Sequence, residues 1–194
     1  MVQMAASAVP VTIRKAEPRD VPALMRLKRL LAEGEDALHA LTASEADWLR
    51  DGFGPHPGFT AFVAECAAGG NNSTVGDSIV GNSIVGNSIV GMATCSQRVV
   101  TGWNGPVVFL QDLIVEEEFR AQGIARMLAA RVAAHARDLG SPIVELTVRA
   151  GNPAQMFYVS SGFAPLPECL TFVLSGPALN KLADSNDDTL ALTG

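Results

Sequence analysis

Arg120-Ala121-Gln122-Gly123-Ile124-Ala125 stands between an apolar run, Val107-Val108-Phe109-Leu110-Gln111-Asp112-Leu113-Ile114-Val115, and a segment with Ile124, Leu128, Val132 and Leu139 at helical spacing. The run is rich in β-branched and aromatic residues and reads as a strand; the segment reads as an amphipathic helix. A strand that breaks into a small-residue turn and opens a helix gathers unpaired backbone N–H groups at the positive end of the helix dipole. That place suits a phosphate or pyrophosphate. Gly123 allows close backbone approach, Ala125 keeps the helix start narrow, and Arg120 adds a cation beside the anion. The alternative for this window is a plain strand, turn and helix with an incidental glycine.

The elements around this turn follow from pattern. Val11 to Arg14 reads as a first strand, and Pro18-Arg19-Asp20 opens a helix with Val21, Leu24, Leu27 and Leu31 at helical spacing, ended by Gly34. Thr42 or Ser44 is placed to cap a second helix through Leu49, stopped at Asp51-Gly52-Phe53-Gly54. Phe59 to Cys66 and Ser88 to Val99 are the next strands, expected to pair antiparallel. After the 107–115 strand and a helix over 123–139 come a strand from Ile143 to Val148 and a short helix from Pro153 to Ser161. A last strand is expected over Cys169 to Leu174. From about Leu182 the chain is polar and acidic without periodicity, which predicts a frayed tail.

Residues 75–91 read VGDSI-VGNSI-VGNSI-VG, three tandem copies of a five-residue unit. An odd period turns Ile79, Ile84 and Ile89 to opposite faces of a strand, so one amphipathic strand needs a bulge or turn to run through them. The expectation is a hairpin insert at about 69–87, with Ser88-Ile89-Val90-Gly91 forming the true strand start.

Composition narrows the function class. The chain has 194 residues, 48% hydrophobic, enough for one core, and a net charge of −6 that argues against nucleic acid as a partner. Cys66, Cys95 and Cys169 are odd in number and lack metal-ligand spacing, and His39, His56 and His135 are scattered, so no metal site is expected. Buried thiols in a reducing compartment fit the cysteines. No secretory leader and no apolar run of membrane-spanning length is evident, so a cytoplasmic protein without a membrane partner is expected.

The element order resembles the GNAT superfamily of N-acetyltransferases over about residues 11–175. The resemblance rests on Arg120-x-x-Gly123-x-Ala125, on Phe157-Tyr158-Val159-Ser160-Ser161-Gly162-Phe163, and on their order with a strand between them. Asp51-Gly52-Phe53-Gly54 with His56-Pro57, Ser88 to Gly91, Trp103, and Leu110 to Val115 are more closely similar to the spermidine/spermine and thialysine N-acetyltransferase branch. The resemblance implies an α/β (α+β) single-domain acyl-CoA N-acyltransferase fold, a mixed central sheet flanked by helices. Residues 1–10 would form a disordered N-terminus, 11–175 the domain and 176–194 a C-terminal tail.

It further implies acetyl transfer from acetyl-CoA to a primary amine, usually in a homodimer. The cofactor-binding set would be Leu113, Ile114 and Val115 along the strand, Arg120, Ala121, Gln122, Gly123, Ile124, Ala125 and Arg126 at the turn, and Asn152. Tyr158 matches the general acid that protonates the departing thiolate, and Glu35 a glutamate that helps bind the cationic substrate. Gln111, Asp112 and Glu168 complete the substrate set. Two positions depart from the branch. Gln111 replaces a glutamate and cannot act as a base, and Gly151 replaces an asparagine, with Asn152 one residue later. An aliphatic amine is neutral in only ~0.04% of molecules at pH 7, so a proton acceptor is needed. Asp112, Glu35 and a water chain all stay open for that role. The acceptor is expected to be a small cationic amine (a diamine, a polyamine or a lysine-like amino acid). A protein N-terminus or lysine, and a non-enzymatic acyl-CoA-sensing protein, are the alternatives.

Overall fold

Five apolar, β-branched-rich segments pair into one sheet: β1 (Val11–Lys15), β2 (Thr60–Cys66), β3 (Ser88–Arg98), β4 (Val107–Val115) and β5 (Val144–Leu146), in that spatial order. The computed structural model describes residues 10–67, 88–102, 104–169 and 171–184. The first four strands are antiparallel neighbours, and β5 joins β4 in parallel. A parallel partner needs a crossover, which α3 (Ile124–Asp138) supplies. Two compact units are present, Met1–Arg149 and Ala150–Gly194. The sheet belongs to the first.

Helices cover both faces of the sheet. On one face α1 (Val21–Gly34) and α2 (Glu45–Phe53) bury Val21, Leu24, Leu27 and Trp48 against Ala61, Val63, Ile89, Met92 and Ile114. Phe62 follows the strand alternation to the opposite face. There the Arg131 guanidinium of α3 lies 4.8 Å over its ring and His135 meets it edge-on at 5.4 Å. Ser44, one of the two expected caps, starts α2. Its hydroxyl accepts from Asp47 N at 3.2 Å, while the Asp47 carboxylate accepts from Ser44 N at 2.9 Å, a reciprocal capping box.

Two irregularities set which side chains face which helices. Opposite β2, Ala64 pairs with Gly91 but Glu65 with Ile89, so Val90 is an extra residue. The bulge lets Ile89 and Met92 share the α1 face. Opposite β3, Asp112 pairs with Thr94 but Leu110 with Cys95, so Gln111 is extra in β4. Its consequence belongs to the site described below.

Several expectations need correction. β5 stops at Leu146 rather than Val148, because its ladder with β4 ends at Leu110, just before the Gln111 bulge. The 3-10 turn Pro18–Asp20 precedes α1 instead of being its first turn. In the second unit, α4 (Ala154–Ser160) is present as expected, but the strand over Cys169 to Leu174 is not. Residues 171–175 are irregular and exposed, including Phe172 at 88%. Aromatic and β-branched composition favours a strand only where a neighbouring strand pairs with it, and none of the described strands does. The tail expected over 176–194 instead carries α5 (Gly176–Asp184), with Pro177 in its first turn and good helix formers after it. Cys66 and Cys95 are buried and burial pushes the Cys95 thiol up to about 11, whereas Cys169 is exposed. The insert at 69–87, Trp103, residues 1–9 and those beyond 184 lie outside the described residues.

A partly buried charge cluster ties β1 and β2 to the turn that precedes α1. Arg14 of β1 reaches Asp20 through two bonds, at 2.6 and 3.0 Å, and Glu65 of β2 through two more, at 2.9 and 3.1 Å. Burial pushes the Asp20 carboxyl up, but the Arg14 guanidinium and the Glu17 N–H outweigh it and hold it below its ordinary value. A lowered carboxyl stabilises the fold above the unfolded-state value, and that stability is lost as pH falls through the folded-state value. Replacing Arg14 with Met leaves Asp20 buried without its cation. We expect Arg14→Met to cost about 2–4 kcal/mol at pH 7 in urea unfolding, somewhat below a fully buried pair because Arg14 is partly solvated. The difference from wild type should shrink as pH falls through the lowered folded-state value of Asp20, where wild type too loses the ionised carboxylate.

Candidate functional site

The Gln111 bulge inverts the facing of β4. Before it, Val108 lines a cavity with His135 of α3; after it, Ile114 joins the α1 core and Asp112 meets Lys28 of α1. In an unbroken strand these even-numbered residues would share one face. Leu110 is also the last β4 residue paired with β5. From Gln111 to Val115, the β5 side of β4 therefore has no described strand against it. A strand edge of this kind offers N–H and C=O groups to an extended ligand, or N–H groups to a developing oxyanion.

That open edge runs into the turn before α3. Ala121 has φ +60° and Gly123 φ +83°, two left-handed residues separated by one, which curls successive N–H groups into an anion-binding concavity. The first bond of α3 is made by Met127 N to Gly123 O at 3.1 Å, so the N–H groups of Ile124 and Ala125 precede the helical ladder. Arg120 Nε donates to Val115 O at 3.1 Å, and Gln122 Nε2 donates to Glu118 O at 3.3 Å; both hold the turn against the end of β4. A Cβ on Gly123 would meet nothing within 4 Å. The space before the helix is open, and the left-handed backbone is what requires glycine there.

On the α1 side of the bulge lies a cavity of about 250 Å³. The sheet contributes Thr94, Gln111 and Asp112, α1 contributes Lys28, and α2 contributes Asp47, Trp48 and Asp51. Trp48 and Phe59 form its aromatic wall, packed edge to face at 5.2 Å. Gly52 makes that wall possible, since a Cβ there would lie 2.5 Å from the Phe59 ring. Asp112 is 8% exposed and both of its oxygens are engaged: one takes the Lys28 ammonium, the other the Thr94 hydroxyl at 2.6 Å. Arg50 bonds Asp47 at 2.8 Å and both oxygens of Asp51 at 2.7 and 2.8 Å. The Ser44 hydroxyl and N–H, with Arg50, hold the Asp47 carboxyl down to about 2.

The expected residues are only partly brought together. Gln111 and Asp112 share the cavity. Ile114 and Val115 bury their side chains, so they offer only backbone to the open edge. Glu35 follows the end of α1, about 10 Å beyond Lys28 along the helix, and is not among the cavity's lining residues; its carbonyl accepts from Arg149 Nη1 at 2.8 Å. In the second unit, Tyr158 packs edge-on against Phe157 and Phe163. There too, Asn152 spends its side-chain oxygen on Ala154 N at 2.9 Å, and Glu168 is exposed. Sequence reasoning missed Lys28 and Thr94. The signal for Lys28 was available: it stands on the same stripe as Leu24, Leu27 and Leu31, where a cation needs a carboxylate partner. Among the described residues no group of three or more His, Cys, Asp or Glu is placed to hold a metal, and no helix is long and apolar enough to cross a membrane.

Comparison with known proteins agrees with this architecture. The model of the Acetyltransferase (GNAT) family matches residues 39–163. Thialysine N-epsilon-acetyltransferase of Mus musculus is 31% identical over 175 residues, covering 88% of this chain and 96% of the relative. Spermidine/spermine N(1)-acetyltransferase-like protein 1 of Homo sapiens is 31% identical over 152 residues, covering 77% of this chain and 20% of that longer protein. Among solved structures, an aminoglycoside N-acetyltransferase in complex with CoA superposes with a TM-score of 0.62 at 19% identity, covering 88% of this chain and 98% of that one, a likeness of fold. The sheet that parts after Leu110, the left-handed turn opening α3 and these matches place the chain in the GNAT family of acetyltransferases.

Proposed function

We propose that this acetyltransferase moves an acetyl group from acetyl-CoA to a primary amine of a small cationic substrate. The observation that carries the reading is the edge of β4 left open by the described strands, followed after the 3-10 turn Glu117–Phe119 by the N–H concavity at Ala121–Ala125, which Arg120 ties back to Val115 O. An extended, amide-bearing arm ending in a pyrophosphate has matching needs: backbone partners along its length, and N–H donors with nearby cations at its end. Leu113, Ile114 and Val115 would serve the arm through their backbone. Arg120, Ala121, Gln122, Gly123, Ile124, Ala125 and Arg126 would serve the pyrophosphate, and Asn152 belongs to the same set by resemblance. The relatives named for thialysine and for spermidine/spermine support an amine acceptor. So does the cavity beside the bulge, whose wall carries Asp47, Asp51 and Asp112.

Each residue then has a task. Backbone N–H groups on the open edge of β4 stabilise the oxyanion formed when the amine attacks the thioester. Tyr158 donates a proton to the leaving thiolate. Asp112 fixes Lys28 and Thr94 next to the bulge; with both oxygens engaged it leaves water as the acceptor of the amine proton, while Gln111 lines the path and Glu35 and Glu168 attract the cation from further out. We take the working form to be a cytoplasmic homodimer, to be checked by light scattering.

A thiol-release assay across diamines, polyamines, lysine-like amino acids and lysine-bearing peptides tests the function. Turnover of small amines is expected, and turnover of peptides alone would overturn it. Gly123→Asp puts a side chain at φ +83° and a negative charge before the N–H groups, so calorimetry should find no acetyl-CoA binding to a folded protein. Tyr158→Phe removes only the hydroxyl. It should leave acetyl-CoA affinity near wild type and lower kcat by about 10²–10⁴-fold, the usual worth of general acid–base help. An unchanged kcat with chemistry rate-limiting would assign Tyr158 to packing.

A further inference from the structure

The ladders of β1 to β4 bring one set of side chains to the α3 face of the sheet. Lys15 pairs with Phe62, Thr60 with Cys95 and Gln97 with Val108, and paired residues project to the same side. Over them α3 lays Arg131 and His135 one turn apart, both against the Phe62 ring. Beside this cluster lies a cavity of about 290 Å³, walled by Thr60, Cys95, Ser96, Gln97 and His135, with Phe59 at one side. Along α3, Arg131 stands about 10 Å and His135 about 16 Å from Ile124, so the cavity is far from the N–H concavity.

No Asp or Glu lines this cavity. Lys15 and Arg131 border it, and neither has a hydrogen-bond or ion-pair partner among the described residues; His135 has no hydrogen-bond partner among them. Burial, then Lys15 and Arg131, hold the His135 imidazole below its ordinary value, and only the exposed Asp138 of α3 works against them. The Cys95 thiol, pushed up by burial to about 11, stays neutral and repels no anion. In a chain of net charge −6, these cations stand together without a counter-charge.

We propose that this cavity binds a small dianionic oxyanion of phosphate or sulfate type, at a site separate from the turn before α3. The anion supplies the counter-charge that Lys15, Arg131 and His135 lack. Arg131 offers planar N–H donors and Lys15 a compact charge, while the Thr60 and Ser96 hydroxyls and the Gln97 amide add donors from the wall. Neighbouring cations repel one another where water is partly excluded, and a shared anion turns that repulsion into attraction. The imidazole joins the site when it takes a proton. An anion favours the protonated ring, and by linkage the protonated ring favours the anion. Affinity therefore falls as pH rises through the His135 value.

The imidazole proton NMR signals of His135 report on the site directly, and His135→Gln identifies them beside those of His39 and His56. Sulfate is the probe, because its charge stays fixed between about pH 5 and 8, where imidazole titrates; chloride at matched ionic strength is the reference. Sulfate at on the order of 10 mM should move these signals and raise the His135 pKa above the chloride reference. Binding should be on the order of 10-fold tighter to the protonated ring than to the neutral one. Lys15→Met and Arg131→Met should each weaken sulfate binding on the order of 10-fold, and Lys15→Arg should keep it. Should Arg131→Met fail to fold without its contact to Phe62, Lys15→Met, at an exposed side chain, carries the same expectation. Gly123→Asp, which disables the turn before α3, should leave the response intact. A His135 pKa that sulfate leaves unchanged in folded wild type would overturn the proposal, as would sulfate binding undiminished in folded Lys15→Met. A response that vanishes in folded Gly123→Asp would overturn it too, by assigning the anion to the acetyl-CoA turn.

Discussion

The single extra residue in β4 is the constraint on which the arrangement of the site depends. With Gln111 inserted between Leu110 and Asp112, the strand changes which face its even-numbered residues serve. Asp112 can then reach α1, and Ile114 can join the core beneath it, although Val108 faces α3. The same insertion coincides with the end of the parallel ladder, so β5 stops where β4 changes phase. One departure from strand geometry therefore produces both halves of the site: the open edge on one side and the charged cavity on the other. Bulges bend strands and raise their local twist, which is how a sheet can part without a change of connectivity.

Charge holds this arrangement in two different ways. The Arg14–Asp20–Glu65 cluster and the Lys28–Asp112 pair each set a nearly buried carboxylate against a partly solvated cation. Losing one member of such a pair strands the other where water cannot reach it, and that penalty exceeds whatever the intact pair contributes. The Arg50 pairs with Asp47 and Asp51 lie at the surface, where solvent screens them and they add little to stability. Their effect is on the field at the cavity mouth, where the guanidinium offsets the two carboxylates that a count of acidic residues would treat as free.

Local pattern made most of the fold legible. Strand alternation and helical stripes placed β2, β3, β4, α1 and α3, whose apolar faces show their period without tertiary knowledge, while capping and turn residues marked the shorter elements. The Arg120–Ala125 turn was legible because its small residues, glycine and flanking cation are all local. What could not be read depends on pairing between distant segments. The Gln111 bulge is defined by Thr94 and Cys95, sixteen or more residues away, and nothing in the 107–115 run marks it. The final strand was misread for the complementary reason: Phe172 and Val173 have strand-forming side chains, but a strand also needs a neighbour. Lys28 was overlooked because helical periodicity counts apolar positions and passes over a cation standing among them.

The bulge at Val90 bears on how this chain can vary. Ser-Ile-Val-Gly occurs three times, at 78–81, 83–86 and 88–91, and the last of these enters β3. Gly91 is confined there, since a Cβ would lie 2.9 Å from Ile114 O, but every copy ends in the same glycine. Met92 distinguishes the copies: it is fully buried, whereas the earlier ones are followed by Asn82 and Asn87. Shifting the chain by one unit would put an asparagine amide into an apolar core, so the register is locked from the far end. Tandem repeats of this kind gain and lose copies readily when genes are replicated. Here such changes leave the sheet with the same four residues and the same methionine behind them, so the gene can lengthen or shorten at this point without rewriting the enzyme's frame.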